Sequence, residues 1–567
     1  MDIRAGISRR DSLKAGLMAS ATALLPGAAQ TATSARSGAM PETPVRWIDD
    51  AAPPLSLGQT FGVPWPRGVL RAGKPLSVQG ADGTALPSQH WTLATWPDGS
   101  IKWTAHALPA GTGQPGALRV VQGKPAAPQA PVLVRELADR IEILVGTLRW
   151  SIGRSGNAII QSAQQGGRTV VGPLTLVASV DSAPEDGTRT PFTGRIISAT
   201  VEQKGPVRAV VKLTGVHEGQ GRQILPFTLR LYAHAGGDHL RIVHSFIFDG
   251  DPAKDFISGI GLTAAVPMAG AAHDRHVRLA TADDGLFSEA VRPLTGLRRD
   301  PGKAVRAAQI AGKAVPMDAM APGVAKLLDR IPTWGDFDLT QLSADGFAIV
   351  KRTQDGHAWV DSVAGSRSQG LGYIGSPQGG AAIATRYFWQ RHPSQISIRD
   401  AESDMATLTA WLWSPDAKPM DMRSYRGVLG MEGYDAQNEG LDITYEDYEP
   451  GWDAATGVAR TSELTLWACA ATPSADTLAA MAQANAVPPQ LMVTPDRIHA
   501  AGVFGIWSLP DRSTPMKARP KLRATSPDVP EPINGSSTMP PGGQPAKMHG
   551  LISAGGKVAK WASLNAL

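Results

Sequence analysis

Hydrophobic and polar positions alternate in short bursts along most of the chain. In residues 100–108 (SIKWTAHAL), Ile101, Trp103, Ala105 and Ala107 share one face, and Lys102, Thr104 and His106 share the other. That period of two marks a half-buried strand. Residues 140–150 (RIEILVGTLRW) and 209–213 (AVVKL) alternate in the same way. Residues 227–232 and 240–248 read as neighbouring strands joined at Ala235-Gly236-Gly237-Asp238, and further strands are expected at 346–352, 385–389 and 407–413. Asp82-Gly83 and Asp98-Gly99 fall between apolar runs, a strong hairpin signal. Strands at this spacing predict a large antiparallel sandwich. The period changes once, at 474–486 (SADTLAAMAQANA), where Leu478, Met481 and Ala482 recur at helical spacing behind a cap at Ser474 or Asp476.

Composition supports a folded, turn-rich body. Of 567 residues, 42% are hydrophobic and 19% charged, which excludes a chain too polar to bury a core. With 61 Gly and 45 Pro, punctuation favours short strands over long helices. The formal charge of +5 suggests a polyanionic partner until its placement is examined. Residues 516–567 carry seven basic and two acidic side chains, and 1–35 carry four and two. The body, 36–515, keeps 44 basic and 46 acidic residues, so no nucleic-acid partner is expected.

The first 35 residues resemble a twin-arginine export signal: Arg9-Arg10 precede the apolar run 15–25 and small residues follow, with cleavage after Ala29 or Ala35. The run is far shorter than the ~20 apolar residues of a membrane span, so no stable membrane anchor is expected. The expectation is a periplasmic or secreted protein that meets the twin-arginine translocase during export. A single cysteine, Cys469, precludes an internal disulfide, and its apolar surroundings indicate a buried structural thiol. Nucleotide-binding glycine motifs, zinc spacings and a convincing nucleophile elbow are absent from the sequence.

Five stretches together carry a family resemblance: 91–103 (WTLATWPDGSIKW), 244–256 (HSFIFDGDPAKDF), 411–425 (WLWSPDAKPMDMRSY), 445–461 (YEDYEPGWDAATGVART) and 500–515 (AAGVFGIWSLPDRSTP). Their order over about 47–515 is similar to that of the exo-type rhamnogalacturonan lyases, a family of polysaccharide lyases. The resemblance implies an N-terminal RIFT-type β-barrel (36–125), a central β-sandwich (131–425) and the start of a C-terminal α/α toroid (426–515). The fold class is therefore mainly β: a small barrel, a large antiparallel sandwich and a short, incomplete helical segment. Residues 516–567, with seven prolines and no apolar periodicity before Leu551, read as a disordered or aberrant tail. A toroid needs several helical hairpins, so the helical domain reads as truncated, as a frameshift near Lys517 would leave it.

The resemblance implies β-elimination at a uronic acid next to rhamnose in an acidic, plant-type polysaccharide or oligosaccharide. The C5 proton is removed and the 4-linked oxygen expelled. A cation or donor must neutralise the uronate, a base must take the proton, and an acid must protonate the leaving oxygen. No organic cofactor is needed, and no carboxylate loop of the calcium type is present, so neither cofactor nor metal is expected. The catalytic candidates are Tyr445, beside Glu446-Asp447, and His499, before the loop 502–505. The substrate-binding candidates are Arg460, suited to a two-pronged carboxylate contact or else to a salt bridge with Glu463 or Asp453; Trp452, for stacking; and Arg352, on a strand, with Arg386 a weaker companion. Two alternatives stay open: a non-catalytic carbohydrate-binding β-protein, and a glycoside hydrolase, which would need two opposed carboxylates that a sequence cannot place.

Overall fold

The structure, a computed structural model, describes residues 40–48, 50–113, 116–422, 439, 455–505 and 509. Near the N-terminus, a sheet of five strands holds Thr43–Trp47 between Leu118–Gln122 and Leu491–Val493. A second sheet places Ile101–Leu108 between Gln59–Pro64 and Gln89–Thr95. Val45, Trp47, Phe61, Val63, Trp65, Val78 and Val120 pack between them, joined by Leu491 and Val493 from late in the chain. Two of the three predicted polar positions of residues 100–108 are buried: Thr104 and His106 are 1% and 0% exposed, while Lys102 is half-buried. Trp65 donates its indole N–H to Thr104 Oγ1 at 2.8 Å, and the same oxygen lies 2.8 Å from His106 Nε2. Mutual hydrogen bonding lets these polar side chains enter a core.

The central part is a sandwich of two antiparallel layers. The first runs Arg189–Lys204, Arg208–Gly219, Arg222–His234, His239–Ile247, Ala459–Cys469, Gly379–Thr385, Leu371–Ser376 and His276–Ala280. The second contains Leu174–Asp181, Phe256–Pro267, Met405–Trp413, Ser394–Arg399, Asp336–Ser343 and Gly346–Arg352. Leu229, Ile242, Leu464 and Ile383 of the first layer share one core with Leu262, Leu408, Ile396 and Leu339 of the second. Two sequence expectations change. Residues 140–150 form a hairpin, Arg140–Val145 against Leu148–Gly153, because Gly146 takes φ +58 at the turn. Residues 385–389 do not continue as a strand, for the chain leaves the sheet at Arg386.

The strand Ala459–Cys469 lies within the span 426–515 that the resemblance assigned to a helical domain, yet it is paired on both sides inside the sandwich. Its run from Leu464 to Cys469 is buried on both faces. Leu464 and Leu466 enter the sandwich core, while Trp467 and Cys469 point outward under the helix Ala475–Ala486. That helix is capped by Ser474, whose hydroxyl accepts from Thr477 N at 3.1 Å. Leu478, Met481 and Ala482 close over Trp467, Tyr373, Ala382 and Ala384. Cys469 is buried, and burial with the nearby Asp238 charge raises its thiol pKa, in keeping with a structural role. Among the described residues no helix is long and apolar enough to cross a membrane.

Candidate functional site

The helix covers only one end of the outer face of the first layer. Further along, the period-two pattern puts polar side chains outward: Arg241 and Ser245 on one strand, Thr461, Glu463 and Thr465 on its neighbour. Tyr232 stands opposite Arg241 in the register, and the Arg241 guanidinium lies 5.0 Å from its ring centroid. Ser245 and Thr461 hydroxyls meet at 2.7 Å.

Glu463 is the pivot of this face. Arg241 donates to it through Nη2 at 2.9 Å and Nε at 3.4 Å. Arg386 donates from Nη1 at 3.0 Å. Burial would raise the Glu463 carboxyl, but the two guanidiniums outweigh it and hold the pKa below the usual carboxylate range. Arg386 reaches this position because its backbone N–H still bonds to the Glu463 carbonyl at 2.9 Å while the chain beyond it turns away. The turn carries Tyr387 at φ +59, an unfavourable region for a bulky residue, and is closed by Arg391 N donating to Tyr387 O at 2.8 Å. Tyr387 is 42% exposed, with the Arg386 guanidinium 4.7 Å from its ring centroid.

The turn also brings Arg391 over the strand end, where it donates to the Thr461 carbonyl. Arg460 lies beside it, donating to the carbonyls of Leu412 at 3.1 Å and Arg391 at 3.3 Å, near the Trp413 ring. Burial, and then the neighbouring Arg391 charge, lower the Arg460 pKa to about 10, so it stays cationic at neutral pH. The salt bridge of Arg460 with Glu463 considered from the sequence does not form. Residues three apart on a strand point to opposite faces, and Glu463 is taken by Arg241 and Arg386. The cluster on this face therefore holds Arg241, Arg386, Arg391 and Glu463, while Arg460 projects from the opposite face of its strand. Arg391 and Arg460 bond to carbonyls, and Arg391 feels the Glu463 charge without a direct bond to it.

The other candidates fall elsewhere. Arg352 belongs to the second layer, where Asp336 (2.6 Å) and Asp355 (2.5 Å) already neutralise it and Trp359 lies under it. His499 is exposed in the last turn of the short helix Pro495–Ala500, whose Arg497 and Ile498 pack on the N-terminal barrel. Tyr445 and Trp452 lie outside the described residues. Sequence reasoning missed Arg241, Arg391 and Tyr387. The density of arginine and aromatic residues in 386–393 (RYFWQRHP) was the available signal, hidden by reading the stretch as a strand.

At the seam between barrel and sandwich, one end of this face opens into a cavity of about 150 Å³. Arg241, Arg386, Glu463 and Thr465 line it from the sandwich, Gly58, Gln59 and Thr60 from the barrel, and Ala484 and Asn485 from the helix. Gly58 makes the seam possible, for at φ +90 a Cβ there would meet the His234 ring at 2.3 Å.

Comparison with known proteins follows the same division. Residues 132–483 match the model of the PcRGLX-like protein central beta sandwich domain, and 41–123 that of the PcRGLX-like N-terminal RIFT barrel domain. The chain is 30% identical over 481 residues to an uncharacterized protein, YetA, of Bacillus subtilis (strain 168). The match covers 83% of this chain and 55% of that protein, so the chain spans about half the length of this relative. Similar solved structures include an alpha-mannosidase from Enterococcus faecalis V583, with 10% identity and a TM-score of 0.40 over 80% of this chain and 46% of that one. A galactose mutarotase related enzyme from Lactobacillus acidophilus has 10% identity and a TM-score of 0.26 over 60% of this chain and 99% of that one.

Proposed function

Because the chain belongs to the PcRGLX-like protein family, we propose that it is an exported, lyase-type protein that cleaves rhamnogalacturonan-type pectic polysaccharide by β-elimination at a uronic acid. One observation carries this reading: Arg241 and Arg386 hold the single carboxylate of Glu463 on the outer face of a sheet, with Arg391 beside the end of that strand. Elimination gathers negative charge on the substrate carboxyl group as the C5 proton leaves. A surplus of fixed guanidiniums stabilises that charge more in the transition state than in the ground state, which is the condition for acceleration. Guanidinium is also the side chain best matched to a carboxylate.

Tyr387 is the group of the turn to which we assign the proton. It is the exposed tyrosine of the three described, Tyr232 and Tyr373 being 5% and 0% exposed. Once deprotonated, its oxygen would take the C5 proton, the C–H electron pair would become the C4–C5 double bond, and the C4–O4 bond would break. The resulting phenol would return the proton to the departing oxygen. Neither oxidant nor reductant enters this balance.

The test is incubation of the full chain with rhamnogalacturonan while following the ultraviolet absorbance of the unsaturated uronate. Rising absorbance with new reducing ends is expected. A flat trace at high protein concentration with polysaccharide still bound would replace this reading by that of a binding protein. Release of saturated sugars would replace it by hydrolysis.

A further inference from the structure

We propose that the seam cavity is a subsite for one carboxylate-bearing sugar ring, held by Arg241 and Arg386 of the arginine face. This rests on the reading of the chain as acting on a uronate-containing polysaccharide, and it assigns one end of the arginine face to holding a single uronosyl unit.

Three properties select the ligand. The first is size: about 150 Å³ is room for one small ring at the seam rather than for a length of polysaccharide. The second is charge. Arg241 and Arg386 face one carboxylate, Glu463, leaving one positive charge in the wall. His234 adds none, since burial first, and then Arg208, His239 and Arg241, keep it neutral. The third is an excess of donors. Asn485 is 4% exposed, and its Oδ1 already accepts from Thr465 Oγ1 at 2.9 Å. Its Nδ2 and the Arg386 Nε are buried without an acceptor among the described residues. A buried donor left unmade is costly, and an incoming oxygen removes that cost. A wall with spare donors and one surplus cation calls for a ligand rich in acceptors with one negative charge. A uronic acid ring has that composition; galactose lacks the charge.

Titration calorimetry of the full chain with methyl galactosiduronate and with methyl galactoside tests this. The acid is expected to bind at least tenfold more tightly than the neutral sugar. Two variants address the cavity directly. Ala484→Leu fills it from the helix, and Asn485→Asp keeps the acceptor for Thr465 while replacing the spare donor with a negative oxygen. Both should abolish binding of the acid while the wild-type near-ultraviolet circular dichroism is retained. Equal binding of the two sugars, no binding of either, or acid binding that survives in a folded variant would each overturn the proposal. The outcome is separable from that of the elimination assay. Elimination without binding of the acid monosaccharide removes the subsite alone, and binding lost in both variants without any elimination keeps the subsite and removes the lyase reading.

Discussion

At the residue scale, Tyr387 and Gly58 use positive φ for opposite ends. Gly58 adopts φ +90 at no steric cost, and its missing Cβ lets the barrel approach His234. Gly58→Ala should therefore destabilise the protein by about 1–3 kcal/mol from backbone strain, with a further cost from the collision, read as a fall in the urea midpoint. An unchanged midpoint would mean that the seam yields easily. Tyr387 bears such strain with a large side chain, and the surrounding bonds hold it there: Arg386 N to Glu463 O before it and Arg391 N to Tyr387 O behind. Strain held in this way next to cations is a mark of a working residue. If the phenol transfers the proton, Tyr387→Phe should lower kcat by about 10²–10⁴ and leave polysaccharide binding unchanged. A loss below tenfold would move the proton transfer to another group.

At the element scale, the strand pattern was legible wherever one face met solvent and the other the core, as in 227–232 against 240–248, which pair with Leu231 opposite Ile242. It misled where both faces are buried. The apolar segment of Ala459–Cys469 belongs to the sandwich because a helix covers its outer face, a fact of tertiary packing. The aromatic run 387–389 had β propensity, but one residue at positive φ redirected it and brought Arg386 and Arg391 to the arginine cluster. Arg460 was found by residue type alone; its partners Arg391 and Leu412 lie 69 and 48 positions away and carry no local signal. The covering helix offers a test of its own. Ser474 is exposed and acts through its cap bond, so Ser474→Ala should cost about 1 kcal/mol and Ser474→Asp should preserve stability, by urea denaturation. Equal stability of all three would show that packing on Trp467 alone sets the helix.

At the scale of the whole molecule, the cores contain an unusual load of neutral histidine. His106, His217, His234, His244 and His276 are each 6% exposed or less. Burial is the leading cause in every case and lowers the imidazolium pKa to about 3 for His106, His244 and His276, to about 4 for His217, and well below the ordinary value for His234. The unfolded chain protonates each near pH 6.5. Below that pH the unfolded state binds more protons than the folded one, so stability is full above about 6.5 and falls as the pH drops toward 4. Each histidine held neutral in the fold contributes a slope of about 1.4 kcal/mol per pH unit below its unfolded pKa, and the contributions act in the same direction. Glu402 and Asp416, whose pKa values burial raises, work in the opposite sense, while His90 and His273, which burial also lowers, add to the effect. Since a domain holds only about 5–15 kcal/mol, stability should fall steeply between pH 6 and 4. Urea midpoints measured at half-unit steps from pH 8 to 4.5 should show a plateau above 6.5 and uptake of several protons below it. A slope of one proton or less would mean that water or local opening reaches these imidazoles. His244→Asn, on a strand of the first layer with both ring nitrogens buried and unpaired among the described residues, should reduce that slope by about one proton while the plateau remains.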